Sequence, residues 1–111
     1  MTDKIVVFST CASHQEAEKI ATSLVERRLA ACVNLIPGVE SIYHWRGAVE
    51  RSKEFLLVIK SSRELLPDLQ AELSRMHSYE IPEVLAVPIV DGAEDYLNWM
   101  ERELQPAGAR E

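Results

Sequence analysis

The chain has 111 residues, 47% of them hydrophobic and 27% charged, with a net charge of −6. This is the make-up of one globular domain with a single core, and its acidity argues against a nucleic-acid binder, whose affinity rests on Lys and Arg neutralising phosphates. No run approaches the roughly 20 apolar residues of a membrane span, and Met1-Thr2-Asp3-Lys4 opens no signal pattern, so the chain reads as cytoplasmic, with no membrane partner.

Lys4 to Thr10 (KIVVFST) is β-branched and bounded by small polar residues, which predicts a strand. Ser13 and Glu16 then fit a capping box. Behind them Ala17, Ile20, Ala21, Leu24 and Val25 share one helical face, predicting a helix to about Arg28. Ala31 to Trp45 is a second extended segment, broken at Pro37-Gly38, where a bulge or bend is expected. Arg46-Gly47 marks a turn and Val49 to Lys60 a third strand, so the pair forms an unusually long hairpin. Ser62 is a candidate cap for a second helix with Leu65, Leu66, Leu69, Leu73 and Met76 as its stripe, and Pro67 fits only near its start. Ser78 to Glu83 is a loop, extended before Pro82, and Val84 to Val90 a fourth strand. Asp91 with Glu94 repeats the cap-plus-acid pattern before a last helix, on which Tyr96, Leu97, Met100 and Leu104 share a side. Residues 1–105 thus read as one domain and 106–111 as a frayed tail.

The order βαββαβ plus a C-terminal helix is the ferredoxin-like, α+β pattern. Its sheet normally turns one face to helices and the other to water, so its strands should alternate apolar and polar residues. These do not. Phe55, Leu57 and Ile59 oppose Leu56 and Val58, Ile5 and Val7 oppose Val6 and Phe8, and Val84 and Ala86 oppose Leu85, Val87 and Ile89. Each such residue left exposed forgoes about 1.5–3 kcal/mol, and a patch of that extent marks an interaction surface. Self-association is the expectation.

Leu29 to Asn34 (LAACVN), Ile36-Pro37-Gly38, Ser41 to Gly47 (SIYHWRG), Glu54, Lys60-Ser61, Tyr79 to Glu83 (YEIPE), Asp91-Gly92 and Tyr96 to Trp99 (YLNW) together resemble the CutA family of divalent-cation tolerance proteins. The ordered set runs from about Ile5 to Leu104. The resemblance implies a ferredoxin-like domain in a homotrimer, with sheets facing one another around the threefold axis in a PII-like architecture. It also implies a response to divalent metals, with copper bound by some members, and no enzymatic activity.

In copper-binding members the ligands fall at positions that here are Ser9, Met76 and His77, of which only His77 is a conventional donor. Cys11 lies two residues beyond Ser9, and Cys11-Ala12-Ser13-His14 has a two-residue gap found in metal sites. Cys11, His14 and His77 are therefore the candidate metal set. Each has a plainer account: Cys11 as a small buried hydrophobe, His14 as a polar residue of a first helical turn, His77 against the negative end of a helix. The two cysteines, Cys11 and Cys32, read as free thiols.

A second set surrounds the hairpin. Tyr43 and Trp45 share a strand face, and with Asn34, Lys60, Tyr79 and Glu83 they are the candidate lining of a cleft near a subunit boundary. They serve equally as interface anchors, since aromatics carry much of the energy of contacts. Lys60 and Glu83 could instead form a structural ion pair. Two functions follow. One is a trimeric metal-linked protein binding copper or another divalent ion. The other is a PII-like sensor or scaffold holding a small molecule or protein partner at subunit clefts. An enzyme ranks last, because Cys11 and His14 have no third orienting residue in sight.

Overall fold

The computed structural model describes residues 2–106. Along the chain run β1 (Lys4–Cys11), α1 (His14–Glu26), β2 (Cys32–Trp45), β3 (Ala48–Ser62), a single 3₁₀ turn (Arg63–Leu65), α2 (Leu66–Met76), β4 (Leu85–Pro88) and α3 (Glu94–Glu103). The strands form one sheet in the order β2-β3-β1-β4, with every neighbouring pair antiparallel. This is the α+β, ferredoxin-like arrangement that the order of elements predicts. Of the expected frayed tail, 107–111 lie outside the described residues.

Alternation along the strands sorts the side chains. Ile5, Val7, Ser9 and Cys11 of β1, with Leu57, Ile59 and Ser61 of β3, are buried on the helix-covered face. They meet Ala17, Ile20 and Leu24 of α1, and Leu69 and Leu73 of α2. On the opposite face Phe8 pairs with Val58 and Leu85, Val6 with Lys60 and Val87, and Thr10 with Leu56. α3 reaches that face at one end only, where Lys4 Nζ meets Glu101 Oε1 at 2.6 Å and the Tyr96 hydroxyl meets the Cys32 thiol. Leu85 and Val87 remain exposed, as do Ile36, Ile42 and Val49 along the hairpin. The two-faced strands therefore leave the apolar surface that their sequence foretells.

The long hairpin holds a register shift between Ile36 and Val39, with Gly38 at φ +80°, so the expected bulge falls at Pro37-Gly38. Arg46 and Gly47 close the hairpin, both with positive φ (+52° and +83°), as a two-residue turn of matching twist requires. Three expectations need correction. Ser62 makes no side-chain cap, because the 3₁₀ turn precedes α2 and puts Pro67 in the first turn of the helix. Asp91 does not cap α3: its carboxylate accepts from Gly92 N–H at 2.8 Å, and Ala93 takes the cap position. β4 spans four residues rather than seven, its pairing with β1 running from Phe8–Leu85 to Ile5–Pro88.

Candidate functional site

Three element ends meet beside the core. β1 stops at Cys11, and Ser13 caps α1 by accepting from Glu16 N–H at 3.2 Å, which sets Glu16 in the helix's first turn. α2 ends at Met76, and His77 leaves it in an extended conformation with its N–H still bonded to Leu73 O. Cys11, Glu16 and His77 consequently bring a sulfur, a carboxylate oxygen and a ring nitrogen within 4.8 Å of one another.

The resting state of this cluster is defined by its hydrogen bonds. His77 Nε2 lies 2.7 Å from Thr10 O. A carbonyl only accepts, so Nε2 carries the proton. Nδ1 accepts from Tyr79 N–H at 3.1 Å, completing a neutral imidazole tied at both nitrogens. Cys11 Sγ is 3.7 Å from Nε2, and the thiol is fully buried. Burial, reinforced by the charges of Glu16 and Glu54, pushes its pKa up to about 12. Glu16 Oε2 accepts from Ser78 N–H at 2.7 Å, while Oε1 is buried without a partner among the described residues.

The structure joins Cys11 to His77 and leaves His14 out. The His14 ring packs edge-on against Phe55, with centroids 5.5 Å apart, and the residue is exposed. Its place is taken by Glu16, which sequence reasoning assigns to the helix cap. A first-turn carboxylate can turn back to the chain end or outward to a neighbour, and spacing does not distinguish the two. Ser9 is fully buried on the same sheet face as Cys11, and its hydroxyl has no partner among the described residues.

On the other side of Thr10 lies an open cleft of about 480 Å³ between the hairpin and the loop after α2. Tyr43, Trp45, Tyr79 and Glu83 line it as the sequence suggests, together with Glu54 and Glu80. Tyr79 Oη donates to Glu54 Oε2 at 2.5 Å, and burial followed by Glu54 raises the hydroxyl's pKa. Tyr43 Oη and Ser52 Oγ share a hydrogen bond of 2.7 Å across the hairpin. The Arg46 guanidinium stands 5.7 Å from the centre of the Trp45 ring.

Asn34 and Lys60 do not belong to this cleft. Lys60 Nζ hydrogen-bonds Asn34 Oδ1 and lies 3.8 Å from Cys32 Sγ, so it forms no ion pair with Glu83. Lys60 stands six positions along β3 from Glu54, roughly 20 Å at strand rise. Glu54 and Glu80 are the cleft carboxylates that sequence reasoning did not place there: Glu54 enters only as one of the family-like residues, because its burial cannot be read from spacing.

The chain matches the family model for the CutA1 divalent ion tolerance protein over residues 5–103. It is 43% identical over 97 residues to Protein CutA, chloroplastic, of Arabidopsis thaliana, covering 87% of this chain and 53% of that protein. With the divalent-cation tolerance protein CutA of Thermus thermophilus it shares 44% over 95 residues, 86% of this chain and 92% of the relative. It thus spans about half the length of the plant relative and nearly all of the bacterial one. The solved Thermus thermophilus structure superposes with a TM-score of 0.90 at 41% identity, over 92% of this chain and 99% of that one. The CutA structure from Xylella fastidiosa gives 0.92 at 38%, over 94% and 100%. No helix among the described residues is long and apolar enough to cross a membrane. On the match from residue 5 to residue 103, the chain belongs to the CutA1 divalent ion tolerance family.

Proposed function

We propose that the protein is a homotrimeric, cytoplasmic metal-tolerance protein that binds copper or a related divalent ion through Cys11, Glu16 and His77. The observation that carries this reading is the convergence of the three donors within 4.8 Å, with the buried Glu16 Oε1 lacking any partner among the described residues. Sulfur, imidazole and carboxylate together suit a d-block cation better than magnesium or calcium, which prefer all-oxygen sites. Cys11 would supply a thiolate and Glu16 its free oxygen, and His77 would bind through Nε2 once its proton moves to Nδ1, which means giving up both Thr10 O and the Tyr79 N–H. A binding role fits the cluster better than a catalytic one. In the resting tautomer His77 turns its Nε2 proton, not a lone pair, toward Cys11, and no acidic side chain among the described residues orients the ring as in a nucleophile–base pair.

The trimer is supported by the apolar open face, on which Leu85 and Val87 stand exposed in the single chain. Facing sheets around a threefold axis would cover it and bring the hairpin cleft to a subunit boundary. A second reading rests on that cleft: a PII-like sensor or scaffold holding a small molecule or a protein partner. Glu54 supports it, as a buried carboxylate facing the cleft and accepting from Tyr79.

Native mass spectrometry of the untagged protein, titrated with copper against a competing chelator, tests the metal reading. The expected result is one copper per chain retained by wild type and lost by C11S, H77Q and E16Q. Copper surrendered to the chelator, or held equally by all three variants, overturns it.

A further inference from the structure

Glu54 is 7% exposed, and among the described residues the Tyr79 hydroxyl is the side chain that donates to it. The arginine and lysine ion pairs among the described residues go elsewhere: Lys4 to Asp3 and Glu101, Arg27 and Arg75 to Glu72, Arg28 to Glu103, Arg51 to Glu40. A carboxylate taken out of water without a countercharge is costly and is normally paired. Here the missing charge has a place to sit, because Glu54 opens onto the cleft of about 480 Å³, a size suited to a small ligand. Glu80 and Glu83 line the same space, and its lining holds no Lys, Arg or His.

The walls define what kind of cation fits. Tyr43, Trp45 and Tyr79 line it with rings, which attract cations through their quadrupole, as the Arg46 guanidinium beside Trp45 illustrates. The Tyr79 ring also packs against the His77 ring, and Ile42 and Ile81 add apolar surface. A hydrated metal ion would leave most of this volume unused, and among the described residues the three carboxylates of the cleft are not gathered into a metal-binding cluster. An organic cation with an apolar body uses both halves, its charge against the carboxylate and its carbon skeleton among the rings. We infer that the cleft between the β2–β3 hairpin and loop 79–83 binds a small organic ammonium or guanidinium ion, with Glu54 as the anionic anchor and Trp45, Tyr43 and Tyr79 as the aromatic walls. The inference rests on the second reading above and names the ligand class of that site.

Three probes with the same phenylethyl body separate the ligand class from the site: 2-phenylethylamine, the neutral 2-phenylethanol and the anionic 3-phenylpropionate. Each is titrated into the assembled wild-type protein in the millimolar range and followed by ligand-observed NMR. The amine is expected to bind saturably, with the alcohol roughly tenfold weaker and the carboxylate silent. Glu54→Gln should weaken the amine by a similar factor, and Trp45→Leu should weaken amine and alcohol together. Lys60→Met, at the far end of β3, should change neither, which guards against a general loss of fold. An alcohol that binds as well as the amine overturns the cation assignment and leaves the cleft reading standing. Silence from all three probes overturns both, as expected if a second copy of the chain fills the cleft with its own side chain.

Discussion

At the scale of single residues, the cost of an unmade hydrogen bond is the sharpest observable. Ser9 Oγ is fully buried and has no hydrogen-bond partner among the described residues, so the hydroxyl gives up solvent without a protein group in exchange. Ser9→Ala is therefore expected to stabilise the chain by about 1 kcal/mol, read as a higher denaturant midpoint with an unchanged slope. A lower midpoint would mean that a donor or acceptor reaches Ser9 in the folded protein. Glu16 Oε1 is orphaned too, but its setting differs, since a sulfur and a ring nitrogen lie within reach. Two idle polar atoms thus have different meanings, one a defect and the other an open valence. The sequence shows Ser9 only as a poor ligand at a family ligand position. It shows Glu16 only as a helix-cap residue, because neither burial nor the neighbours brought by folding can be read from spacing.

At the scale of elements, the packing of α1 on α2 is fastened by one buried carboxylate. Glu72 accepts from Arg75 at 2.8 Å and from Ser23 of α1 at 2.7 Å, with Arg27 at 3.2 Å. Arg75 first, then Ser23, hold its pKa down to about 2 from an ordinary 4.5, against the opposing effect of burial. The folded value is the lower one, so this contribution is complete above pH 4.5 and is lost as pH falls toward 2. Glu72→Gln should cost about 1–2 kcal/mol near neutrality, discounted because both arginines face solvent. It should also flatten the fall of stability between pH 4.5 and 2, measured by urea unfolding at a series of pH values. The elements themselves were largely legible. Apolar, β-branched runs bounded by small polar or turn residues locate β1 and the hairpin, helical spacing locates α1 and α2, and Pro37-Gly38 announces its bulge. What failed were signals that depend on competition: Ser62 and Asp91 look like caps, yet a 3₁₀ turn and Ala93 occupy those roles. Lys60 and Glu83 both fall in family-like motifs, which suggests one site, but Lys60 stands six positions along β3 from the cleft residue Glu54.

At the scale of the whole molecule, the chain measures 44 × 29 × 22 Å, with the hairpin end exposed from Ile42 to Arg51. Such an arm has little to pack on within its own chain, which fits an assembly in which it meets neighbours. Val87 is 47% exposed in the single chain, so a lone folded protomer would accept a charge there, while a buried sheet-to-sheet contact would not. Val87→Glu is expected to reduce the mass in solution from three chains to one, with helical and strand content retained, as read by light scattering and circular dichroism. A wild-type protein that scatters as a monomer would sink the trimer outright. Within each chain, one side chain stands between the two proposed sites. His77 is held by Thr10 O on one nitrogen and by Tyr79 N–H on the other, and Thr10 and Tyr79 both line the cleft. An ion that drew Nε2 off the carbonyl would disturb the backbone that carries Tyr79 and its bond to Glu54. Linkage makes any such effect mutual: the factor by which a metal alters the hold on an amine is the factor by which the amine alters the hold on the metal. With both ligands present, the imidazole would be the arm of a balance between an inorganic and an organic cation.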